Sequence, residues 1–159
     1  MLLENSSPLY PLWAIAFVVI SLILVPRKEY QYLLPHGFLG VIIVGLFLFL
    51  SVHLFKAWSY KDSFPYSILE IPIFILAAWG VSIIIFLWSI PEDSPVWTHY
   101  LYIAVWSIVG IFFDQLFHNL KLRPYAPWYR SWMWFFPVFV IFWVNYKIYI
   151  MRKKKHYNN

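Results

Sequence analysis

The sequence predicts an all-α integral membrane bundle of five transmembrane helices, and three observations carry that prediction. Hydrophobic residues fill 62% of the 159 positions and charged residues only 12%, whereas soluble domains run at about half apolar and about a quarter charged. The apolar residues gather into five stretches, each close to the roughly 20 residues a helix needs to cross hydrocarbon. These stretches are apolar on every side, unlike the alternating segments of about ten residues that build a membrane barrel. Aromatic usage agrees, since 10 Trp, 12 Tyr and 15 Phe suit side chains anchored at lipid–water boundaries.

The first stretch runs from Leu9 to Val25. Ser7 and Pro8 open it, a capping residue followed by proline at the first helical position, and Pro26 with Arg27-Lys28 closes it. The second runs from about Pro35 to Phe55 and ends at Lys56. The third runs from about Tyr66 to Ile90, where Pro91-Glu92-Asp93-Ser94-Pro95 stops it. The fourth covers about Val96 to His118 and the fifth about Ser131 to Met151. Short connections make consecutive helices antiparallel neighbours. The longest, Asn119 to Arg130, is expected to form a small cap on the membrane surface. Residues 1–151 read as one five-helix domain and residues 152–159 as a basic cytoplasmic tail. The N-terminus lacks a basic region and a small-residue cleavage site, so the first stretch is expected to remain as a span.

Composition also excludes functions. Cysteine is absent, which removes disulfides, thiolate metal sites and cysteine nucleophiles. The net charge of +5 does not signal nucleic acid. Five of the twelve basic residues are Lys147 and Arg152-Lys153-Lys154-Lys155, and a basic run after a span is the mark of a cytoplasmic tail. With the N-terminus outside, the inner side also receives Arg27 and Lys28, while Lys56, Lys61, Lys121, Arg123 and Arg130 lie outside. The expected orientation is N-outside and C-inside.

Of seven acidic residues, only Glu70 and Asp114 are flanked on both sides by apolar sequence. A carboxyl group in hydrocarbon costs several kcal/mol unless it meets protein, water or a partner. Asp114 and His118 are four apart and share a helix face, extended by Ser107 and Gly110. The antiparallel arrangement brings His53, Glu70, Asp114 and His118 to similar depth in the outer leaflet. Arg123 lies just beyond, able to pair with Asp114 or, the favoured reading, to contact lipid phosphate in water. His36 and His99 are expected to meet water or headgroups, and Asn145 to bond between helices. Trp128, Trp132, Trp134, Phe135 and Phe136 are expected to form an interfacial belt.

Three functional readings follow. The leading one is a non-enzymatic protein binding a small or lipidic ligand in an outer-leaflet polar pocket built from His53, Glu70, Asp114, His118 and Arg123. The second is an intramembrane enzyme with Glu70 and Asp114 as acid and base on an apolar substrate. The third is an accessory subunit whose polar groups only fix helix register. No cofactor or metal is expected, because Asp-x-x-x-His alone is a weak ligand pattern and no His-Glu-x-x-His occurs. The expected partners are the bilayer and a lipid or small molecule. Small-residue stripes are compatible with an oligomer but do not specify one.

Val25-Pro26-Arg27-Lys28, Trp58-Ser59-Tyr60, Ile90-Pro91 and the region from Phe113-Asp114-Gln115-Leu116-Phe117 through Trp128 to Phe136-Pro137 carry a resemblance. The chain resembles a group of small multi-pass membrane proteins of Bacillus- and Clostridium-type bacteria. The resemblance implies five helices, a bacterial cell membrane and an acidic residue, usually Glu, near the end of the fourth helix. Asp114 holds that place here with a shorter side chain. The resemblance implies no particular activity.

Overall fold

A computed structural model describes residues 7–63, 65–91 and 93–157. The order is α1 (Leu9–Leu24), α2 (Arg27–Phe49) continued by a π-helical turn (Leu50–Leu54), β1 (Ser67–Ile68), β2 (Ile71–Pro72), α3 (Ile73–Trp88) and α4 (Val96–Asn119). A 3₁₀ turn (Ser131–Trp134) then leads into α5 (Phe135–Tyr157). The described residues are mostly helical, with five α-helices among them, as expected. Among the described residues, three helical stretches are long and apolar enough to cross a membrane: Arg27–Leu54, Val96–Asn119 and Ser131–Lys153. α1 and α3 are apolar but only 16 residues each. That is about 24 Å of helix against about 30 Å of hydrocarbon, so five membrane-length helices is corrected to three long and two short.

Local chemistry explains the shifted boundaries. α2 begins at Arg27, not Pro35, because Pro26 is extended at the N-cap (φ −57°, ψ 144°) and the helix starts directly after it. The polar run Arg27–Tyr32 hid this first part from the hydropathy pattern, and Pro35 sits inside the helix. α3 begins at Ile73, not near Tyr66. Ser67 pairs with Pro72 and Ile68 with Ile71 in a hairpin, whose two turn residues, Leu69 and Glu70, have φ of 50° and 63°. Two consecutive positive φ values define the tight turn that suits a two-residue hairpin. α5 runs on to Tyr157, so the basic run expected as a tail continues the helix.

α3 is the centre of the bundle, packed on α1, α2 and α5. Ile83 to Leu87 are five consecutive buried residues, which only a helix surrounded by others can present. Its contact with α2 is close because both sides are glycine. A Cβ on Gly80 would lie 2.6 Å from Val41 Cγ2, and one on Gly37 would lie 2.8 Å from Ile84 Cδ1. Small residues let helix backbones approach in this way.

α4 is polar inside and apolar outside. Its inward residues are His99, Ile103, Ser107, Asp114 and Phe117, while Trp97, Leu101, Val105, Ile108 and Phe112 are exposed. This inversion of the soluble pattern suits a helix solvated by lipid.

A cap closes the end of the bundle where α2 and α4 finish. The segments after these helices pair as an antiparallel ribbon. Ala126 N donates to Ala57 O (2.8 Å), Ser59 N to Pro124 O (3.3 Å) and Lys61 N to Leu122 O (2.9 Å). Tyr10 of α1 ties in, its hydroxyl 2.8 Å from Lys61 O and 3.1 Å from Leu122 O. The expected small cap over Asn119–Arg130 is present, with residues 57–61 as its second strand.

Candidate functional site

Asp114, in the last turns of α4, is 2% exposed. Its Oδ1 forms an ion pair with Arg123 Nη1, and its Oδ2 accepts a 2.7 Å hydrogen bond from the Tyr125 hydroxyl. Both partners come from the cap strand that follows α4, so a single reversal of the chain returns compensation to the carboxylate. Arg123 is the main correction to the sequence reading. The favoured expectation was a solvated headgroup contact, but Arg123 is 6% exposed. Its guanidinium carbon stands 3.7 Å over the Trp58 ring, with Trp134 at 5.2 Å and Tyr60 at 5.5 Å. Stacking on aromatic faces and pairing with a carboxylate suit the weakly hydrated guanidinium.

The pair uses only part of the arginine. Arg123 Nε and Nη2 are buried with no hydrogen-bond acceptor, and so are Trp58 Nε1 and the Tyr129 hydroxyl. The Trp58 and Tyr129 rings are 5.1 Å apart. Buried donors are nearly always satisfied, so this cluster has spare donor capacity.

Electrostatics keep the phenols neutral. Burial, then the hydrogen bond to Asp114 and its charge, hold the Tyr125 hydroxyl well above the ordinary phenol range. Burial and the Asp114 charge do the same for Tyr129. Tyr60 is raised chiefly by burial, with Arg123 acting against it and Asp114 with it. For Arg123, burial works against the charge and the Asp114 carboxylate works for it.

His118 joins this cluster. Its ring stacks on Tyr125 at 3.8 Å, and its Nδ1 lies 3.1 Å from Arg123 O. A carbonyl only accepts, so Nδ1 carries the proton. His53 and Glu70 lie elsewhere. His53 is in the π-helical turn and donates from Nε2 to Leu69 O at 3.0 Å. Glu70 is an exposed hairpin-turn residue, not a member of α3. Together they line an open groove with Lys56, Trp58 and Tyr125. The expected single pocket is therefore corrected to two separate places, with His53 and Glu70 in one and Asp114 in the other. Among the described residues, no three His, Asp or Glu side chains come together as metal ligands.

The buried pair borders a cavity of about 70 Å³. Arg123, Asp114 and Tyr60 line one end. Trp13 and Phe17 of α1, Ala78 and Trp79 of α3, Val109 and Phe113 of α4, and Phe142 of α5 line the rest. α1 and α4 meet here through aromatic side chains, with Trp13 4.4 Å and Phe17 5.8 Å from Phe113. Val109 lines the cavity and is also 38% exposed, so this part of the cavity wall is shared with the outer surface of α4.

Other expectations also change. His36 and His99 are buried rather than wetted. His99 donates from Nε2 to Pro91 O (3.0 Å), and its Nδ1 is 2.7 Å from the Tyr146 hydroxyl. Asn145 bonds within its own helix, to Ile141 O at 2.8 Å. Trp134 is buried against Trp58, whereas Trp128, Trp132 and Phe136 are exposed as an interfacial belt requires. Sequence reading missed Trp58, Tyr60, Tyr125 and Tyr129 as members of the site. Only the pairing of two distant loops brings them to Arg123, and no local pattern announces that pairing.

No family model, curated protein or solved structure matches this chain.

Proposed function

We propose that the chain is a five-span integral membrane protein that binds an amphiphile entering sideways from the bilayer between α1 and α4. The polar head meets Arg123 at the cap and the first carbons of the tail enter the cavity of about 70 Å³, while the rest of the tail stays in lipid between α1 and α4. The observation that carries this reading is the cavity itself: it is lined largely by aromatic side chains, its wall includes the partly exposed Val109, and it is bordered by a buried arginine with unused donors. Ligand sites are typically apolar clefts with a few placed polar groups.

All five helices cross the membrane in this reading. α3 is shielded by its neighbours, and α1 is accommodated by local thinning of the bilayer at modest cost. The cap faces outside and the basic end of α5 faces the cytoplasm, supported by the C-terminal cluster of Lys and Arg. The cell membrane of a bacterium is the setting the resemblance implies. The acid/base alternative is disfavoured because it needs Glu70 and Asp114 in one pocket, and they line two.

A long-chain fatty acid carrying a diazirine in its tail tests the reading by photo-crosslinking in membranes. The expected products lie on residues 13–17 and 109–113. Labelling spread over the exposed α4 face around Trp97–Val105, with none at the cavity, would contradict it.

A further inference from the structure

We infer that the head of this ligand is an oxyanion, a carboxylate or a phosphate, gripped by the unused edge of Arg123. The inference rests on the amphiphile reading above and specifies its ligand class.

The free atoms on Arg123 are a matched pair. Nη1 is committed to Asp114, while Nε and Nη2 have no acceptor. In a planar guanidinium these two N–H groups point the same way and form a side-on fork. Such a fork fits the two oxygens of a carboxylate or phosphate. A single hydroxyl or ester carbonyl satisfies only one prong. The Trp58 ring lies under the guanidinium and packs on Tyr129, and both residues stand outside the cavity wall that Arg123 lines. The spare atoms on Arg123 are donors only, which favours a head rich in acceptors.

Asp114 already neutralises one charge, so a second anion needs more positive potential. The cap supplies it. Lys56, Lys61, Lys121, Arg123 and Arg130 lie in the cap loops, against Asp62, Glu70 and Asp114. The surroundings remain cationic with Asp114 counted, and low-dielectric walls focus that field. The phenols do not add negative charge, because Tyr60, Tyr125 and Tyr129 are all held protonated, chiefly by burial.

The test uses the full chain in phosphatidylcholine nanodiscs and three probes with one shared tail: oleate, oleoyl lysophosphatidate and monoolein. Affinity is expressed per mole fraction in the bilayer, so that partitioning cancels. At least one oxyanion probe is expected to bind tenfold or more tighter than neutral monoolein. Oleate ahead identifies a fatty-acid head and lysophosphatidate ahead a phosphate head. Arg123→Gln alone leaves Asp114 unpaired and risks misfolding, so the paired variant Arg123→Gln/Asp114→Asn is used. The paired variant is expected to lose the preference. Equal affinity for all three probes would overturn the oxyanion head while leaving the cavity reading intact. An unchanged preference in the paired variant would overturn it as well. Binding of none of the probes would remove the amphiphile reading itself.

Discussion

The two ends of α4 each bury a polar cluster, and they solve the same problem differently. At one end His99 is fully matched, its two ring nitrogens serving Pro91 O and the Tyr146 hydroxyl. At the other, Asp114 is matched by Arg123 and Tyr125, but Arg123, Trp58 and Tyr129 keep free donors. A closed network in low dielectric fixes helix register and needs nothing more. An open one carries a desolvation cost that a ligand can remove. Isolated unpaired atoms also occur at His36 and Asn145, but those residues, unlike Arg123, form no part of the cavity wall. The difference separates structural polarity from the proposed binding site within a single helix.

Breaking the open cluster should have the largest effect. Arg123→Met leaves Asp114 buried without its cation, and losing one member of a buried pair costs about 3–5 kcal/mol. Thermal unfolding in detergent should register that loss. Arg123→Met/Asp114→Leu should recover much of it while leaving the site unable to hold a polar head. A double variant no more stable than the single would show that Asp114 is compensated by Tyr125 alone.

The closed cluster should respond more weakly. His99→Phe strands the Pro91 carbonyl, and that should cost about 1–3 kcal/mol with no change in ligand affinity. A change in affinity would erase the distinction between the two ends. Packing offers a control between them. Gly80→Val forces a branched side chain against Val41 at the α2–α3 contact, and overpacking should cost about 1–3 kcal/mol, read as a lower Tm.

The hairpin and the phenols carry the smallest effects. Leu69 and Glu70 hold left-handed backbone, which costs a side-chain-bearing residue about 1–2 kcal/mol. Leu69→Asn/Glu70→Gly should therefore stabilise the protein by about 1 kcal/mol in the same melts. Tyr125 and Tyr129 have folded values above the ordinary phenol value. Their contribution is complete below about pH 10 and falls as pH rises towards the folded values. Tyr129→Phe should shallow that alkaline loss of stability, measured as Tm against pH.

Much of the fold was legible because lipid imposes a simple rule: apolar runs of membrane length become helices. The rule failed where apolar sequence took another form. Ser67–Pro72 reads as helix by hydropathy, but Pro72 cannot donate and Leu69-Glu70 turn the chain. Glu70 was consequently placed inside a helix it precedes. Asp114 was recognisable from sequence because its cost in hydrocarbon demands a partner. That the partner is Arg123 depends on a chain reversal within nine residues, which the loop length permits but does not dictate. Trp58 and Tyr60 were out of reach, since their place beside Arg123 depends on the ribbon pairing residues 57–61 with 122–126.

The central claim is that the cavity beside Arg123 holds an amphiphile admitted between α1 and α4. Native mass spectrometry of the protein released from its membrane tests it most directly, comparing the natural chain with Val109→Trp. Val109 lines the cavity and is partly exposed, so the larger ring should fill the proposed entry with little effect on Tm. The account predicts one bound amphiphile per natural chain, reduced at least tenfold in Val109→Trp. A natural chain that carries no amphiphile, or equal occupancy in both proteins, would contradict it.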